Sequence, residues 1–123
     1  MTNVLAMLLA LAQPATHLAI EPWTGSDLQT TSAGAAKYRL TISGKPNASI
    51  RLQANHVAQG WLAAFCTQRL CSPHRVEVAL PATGAAVLQF ELIRESGSAP
   101  KESSATITAD GTTSIAVPAA YRQ

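Results

Sequence analysis

The residues with the most chemistry in them, Cys66, Cys71 and His74, fall with Trp61 inside one short stretch, "GWLAAFCTQRLCSPHRV", Gly60 to Val76. Cys66 and Cys71 are the only two cysteines of the chain, and three chemistries compete for them. As a disulfide they close a short loop, with Ser72-Pro73 turning the chain back, and stabilise it by roughly 2 kcal/mol. As metal ligands they would use the C-x2-H spacing of Cys71 and His74, joined by His56. A blue-copper site also wants a weak axial methionine, and none follows Met7. As a redox pair they would need a C-x2-C motif opening a helix in a βαβ context, which the spacing does not provide. The disulfide Cys66–Cys71 is the expectation, with no metal ligand set and no cofactor.

Other catalytic constellations are not favoured. The chain holds no H-E-x-x-H, no G-x-S-x-G and no glycine-rich phosphate loop, and its two aspartates, Asp27 and Asp110, are far apart in sequence. The expected protein is not an enzyme. Trp61, opening a strand after Gly60, reads as core. Trp23, between Pro22 and "TGSD", reads as exposed and suited to contact a partner. Arg69 and Leu70, in the loop "TQRL" between the cysteines, are further candidate contacts.

The elements that must hold these residues are strands. Hydrophobic residues recur with a period of two, and Gly, Pro, Asn and Asp punctuate them at short intervals. "AAKYRLTIS" sends Tyr38, Leu40 and Ile42 to one face and Lys37, Arg39 and Thr41 to the other. "THLAIEPW" offers Leu18 and Ile20, "ASIRLQA" offers Ile50 and Leu52, and "HRVEVAL" offers Val76, Val78 and Leu80. "AAVLQFELIR" turns Leu88, Phe90 and Leu92 inward. Ile107, Ile115 and Val117 flank the turn at Asp110-Gly111 in a closing hairpin. The stretch "ESGSAPKESS", Glu95 to Ser104, reads as a solvated loop.

Ahead of these strands, "VLAMLLALA", Val4 to Ala12, is an apolar run with small residues at Ala10 and Ala12, the pattern of a signal peptide over residues 1–12. No Lys or Arg precedes it. The run is too short to span a bilayer, and no cysteine follows it to carry a lipid, so no stable membrane anchor is expected. The remaining residues, 13–123, suffice for one domain. A formal charge of +2, with its basic residues scattered singly, excludes a nucleic-acid footprint. The fold class expected is all-β, a single immunoglobulin-like antiparallel β-sandwich of about seven strands.

The segment "NHVAQGWLAAFCTQRLCSPHRVEVALPATGAAVLQFELI", Asn55 to Ile93, resembles bacterial exported immunoglobulin-like domains. In these a Gly-Trp strand precedes a strand of alternating Val and Leu, a P-x-x-G turn and a further strand. Such domains are appended to secreted glycosidases and other envelope proteins. The resemblance implies a non-catalytic secreted or periplasmic module that binds, spaces or assembles, with a protein or glycan partner whose identity it does not give. Two alternatives stand beside it: a cupredoxin-like copper protein, and a subunit of a surface assembly that pairs through an edge strand.

Overall fold

The computed structural model of the chain describes residues 15–23, 29–30, 35–67, 70–95 and 102–122. The expected signal peptide, residues 1–12, lies outside them. Every regular element among the described residues is a strand: β1 (His17–Pro22), β2 (Gln29–Thr30), β3 (Ala35–Ser43), β4 (Ser49–Asn55), β5 (Trp61–Cys66), β6 (Cys71–Pro73), β7 (Arg75–Ala79), β8 (Ala85–Arg94), β9 (Thr106–Ala109), β10 (Thr113–Ala116) and β11 (Tyr121–Arg122). Five of them form one antiparallel sheet in the order β1-β3-β8-β5-β6, and four form a second in the order β10-β9-β4-β7. β11 and β2 pair in parallel.

The period-two pattern does what it must. Along β3, Ala36, Tyr38, Leu40 and Ile42 are buried, and the residues between them face outward. β8 repeats this with Leu88, Phe90 and Leu92. From the other sheet Ile50, Leu52, Ala54, Ile107 and Ala109 close on the same core, so the sheets face one another in a sandwich-like arrangement. Across the first sheet Tyr38, Phe90 and Phe65 sit directly opposite one another on β3, β8 and β5. Their ring centroids lie 5.9 and 5.1 Å apart at tilted angles, the geometry that aromatic quadrupoles prefer. Trp61 joins the core as expected. Val76, Val78 and Ile115 are only partly buried against it, because β7 and β10 are edge strands.

Three expectations are corrected. Nine strands make up the two sheets rather than about seven. Ser72 and Pro73 do not turn the chain: they belong to β6, where a proline is tolerated because the strand is an edge. The bend comes at His74, in the left-handed region at φ 66°. Its N–H donates to the Ala63 carbonyl on β5, and its carbonyl accepts from Ala54 on β4. His74 is thus the corner at which one edge passes from the first sheet to the second.

The third correction concerns the loop expected over Glu95–Ser104. Residues 96–101 lie outside the described residues, and Glu95, Glu102 and Ser104 are exposed as expected, but Ser103 is buried. Its N–H donates to the Ala120 carbonyl, and its hydroxyl accepts from the Ala120 N–H at 2.7 Å. The buried Tyr38 hydroxyl donates to the Pro118 carbonyl at 2.5 Å. A short polar knot therefore ties the segment after β10 to the middle of β3. Desolvation pushes the Tyr38 phenol up to about 12, against the opposing pull of a hydrogen bond from Ser103. The unfolded state releases this proton near its ordinary value of about 10, so Tyr38 contributes stability below that pH and loses it as pH rises toward 12. Urea unfolding of wild type and Tyr38→Phe is expected to show the variant less stable by about 1–2 kcal/mol at pH 8, since the Pro118 carbonyl loses its donor. The gap should narrow above pH 10. A constant gap across that range would show that Tyr38 titrates as if exposed.

Candidate functional site

The outer face of the five-stranded sheet gathers most of the residues with chemistry to offer. Because Tyr38 points inward, its neighbour Arg39 points out. The register places Glu21, Arg39, Gln89, Cys66 and Cys71 in one row across β1, β3, β8, β5 and β6. The next row pairs Lys37 with Glu91 and Glu91 with Ala64. Trp23 continues the β1 ladder by donating its N–H to the Lys37 carbonyl. Its ring lies under the Arg39 guanidinium, 5.1 Å from Cζ to the ring centroid.

Trp23 is thus half-buried on this face rather than free, one side of the indole packed by Arg39. At the other end of the rows, Cys66 and Cys71 form the expected disulfide, with Cα atoms 4.0 Å apart on directly opposed positions of a hairpin. The Thr67 N–H donates to the Leu70 carbonyl at 2.8 Å and carries the ladder one pair further. Leu70 is 67% exposed, offered to solvent rather than tucked beneath the hairpin. Arg69 lies outside the described residues.

Between the two ends the Gln89 side-chain amide donates to Glu91 at 2.7 Å. The Glu91 carboxylate and both sulfur atoms lie within 4.8 Å of one another. This is the one such group of three His, Cys, Asp or Glu side chains among the described residues, and it contains no histidine. Neither His56 nor His74 joins the cysteines. With Cys66 bonded to Cys71, the copper reading lacks the thiolate it requires.

The outer face of the second sheet is different in kind. Arg51 opposes Glu77, Gln53 opposes both Arg75 and Thr108, and the Asp110 carboxylate accepts the Arg51 N–H at 2.8 Å. Together with Gly111 these residues line a depression open to solvent. Opposed charges on a solvated face are the ordinary covering of a sheet, worth little individually.

The sequence singles out Trp23, Cys66, Cys71 and Leu70; the structure sets Trp23 and the two cysteines on one face and leaves Leu70 exposed at the end of the hairpin, one position beyond Cys71. It does not single out Arg39, Gln89 and Glu91. The signal for them is the alternation that also gives the core: each sits next to a buried residue on a strand, so each has to face outward. Comparison with protein-family models and with curated proteins finds no match.

Proposed function

We propose that the chain is a non-catalytic, immunoglobulin-like binding module of an oxidising compartment, secreted or periplasmic, whose contact surface is the outer face of the five-stranded sheet. The observation that carries this is the coincidence on that face of the Trp23–Arg39 stack, the Gln89–Glu91 pair and the Cys66–Cys71 disulfide, with Leu70 exposed at the hairpin end that borders it. Trp and Arg are the side chains that most often anchor protein partners, because they combine large apolar area with directed polar contact. A protein partner therefore fits better than a glycan. Paired cysteines agree with a compartment where thiols do not stay reduced.

The immunoglobulin-like reading is supported by strand neighbours. The runs β1-β3-β8 and β10-β9-β4 correspond to A-B-E and G-F-C of an immunoglobulin sandwich. β5 takes the D place beside β8, and β7 the C′ place beside β4. The chain visits these last two in the opposite order, so the arrangement is a variant of that topology. The assembly reading is the weaker one, since edge strand β7 carries Arg75 and Glu77, and charge on an edge discourages pairing with another strand.

The test is retention of partners from the native compartment on the immobilised protein. Trp23→Ala and Leu70→Ala should each weaken retention about tenfold, the effect of losing one anchoring side chain. Glu77→Ala, on the other sheet, should leave it unchanged. Equal retention by all three would remove this face from the function.

A further inference from the structure

We infer that reduction of the Cys66–Cys71 disulfide turns the hairpin into a binding site for a thiophilic divalent cation, zinc above all, held by the two thiolates and the Glu91 carboxylate. This goes beyond the binding-module reading and concerns the chain after a dithiol reductant has reached it, whereas the oxidising compartment of that reading keeps the bridge closed. The spacing C-x4-C lies within the range by which zinc sites take two ligands from one loop. The three ligand atoms already lie within 4.8 Å of one another. Ligand atoms around a tetrahedral zinc are roughly 3.5 to 3.8 Å apart, so side-chain rotations of about an ångström complete the set.

The backbone keeps the ligands in place when the sulfur–sulfur bond is gone. Cys66 is held opposite Gln89 in the body of the sheet, and Cys71 opposite Cys66, with the Thr67–Leu70 hydrogen bond closing the hairpin beyond them. Gln89 donates to Oε1 of Glu91, a second interaction of the kind that orients a metal ligand. The exposed edge at Cys71 leaves the fourth position to water.

The chemistry balances. A dithiol reductant delivers two electrons and two protons to the bridge and leaves as its own disulfide; the cation then displaces the two thiol protons, which are released to solvent. Zinc suits thiolate and carboxylate donors together and has no redox chemistry of its own, so the bridge alone sets whether the site exists.

The experiment uses the whole chain, reduced with a dithiol, freed of it without oxygen, and titrated with cobalt(II) as an absorbing stand-in for zinc. One equivalent should bind with a thiolate-to-cobalt charge-transfer band, zinc should displace it, and a pH indicator should register about two protons released per cation. The oxidised chain should give no band. Glu91→Gln should keep the band and weaken binding by about tenfold or more. Circular dichroism accompanies each titration. Equal binding by oxidised and reduced protein, an unchanged affinity in Glu91→Gln, or loss of the fold on reduction would each overturn the proposal.

Discussion

Phe90→Ala is expected to lower the stability of this domain by about 3–5 kcal/mol. The ring is fully buried and lies between Tyr38 and Phe65, so truncation removes apolar area and two aromatic contacts together. Collapse to fill the cavity is obstructed, because Tyr38 is fixed at its far end by the hydrogen bond to Pro118 and Phe65 by the pairing of β5 with β8. A domain of this size has a total stability of only about 5–15 kcal/mol. Denaturant unfolding should therefore show the midpoint falling by a large fraction while the slope stays constant. A loss below about 1 kcal/mol would mean that the aromatic row is not a cooperative part of the core.

Gly84→Ala is expected to cost about 2–4 kcal/mol, from two separable causes. Gly84 adopts φ 77°, a region that residues with a Cβ enter at a cost of roughly 1–2 kcal/mol. A Cβ there would also stand 2.6 Å from the Gly44 carbonyl oxygen, a backbone atom that has no rotamer by which to retreat. The contact is close because the Gly44 N–H donates to the Gly84 carbonyl at 2.9 Å, joining the turn after β3 to the turn before β8. Gly111 supplies the control: its φ is 71°, and a Cβ on its α-carbon would meet nothing within 4 Å. Gly111→Ala should show the conformational cost alone. The difference between the two variants in thermal or urea unfolding measures the steric part, and equal losses would show that the backbone at Gly44 yields.

Much of the architecture is legible because it is written in local pattern. Tyr38, Leu40 and Ile42 alternate with Lys37, Arg39 and Thr41, and a strand has no other way to sort such residues than to two faces. Asp110-Gly111 marks a hairpin because both positions need positive φ, and the structure places them at 52° and 71°. The corner at His74 is not legible. Histidine enters the left-handed region only now and then, and what holds it at φ 66° is the pair of hydrogen bonds to Ala63 and Ala54 on two different sheets. Ser103 is hidden for the same reason: a serine in a polar run gives no sign that Ala120 will bury and satisfy it.

The sequence by itself determined that the regular elements among the described residues are strands, which residues of each strand face the core, and that Cys66 and Cys71 would pair. Each of these depends on residues a few positions apart, through the period of the backbone and the high effective concentration of two thiols in one short loop. Tertiary structure alone decided which strands lie side by side, and so brought Trp23, Arg39, Gln89 and Glu91 onto the same face as the disulfide. Strand order is settled by the summed packing of two whole sheets against the entropy of closing long loops, a balance to which no single stretch of sequence holds the key.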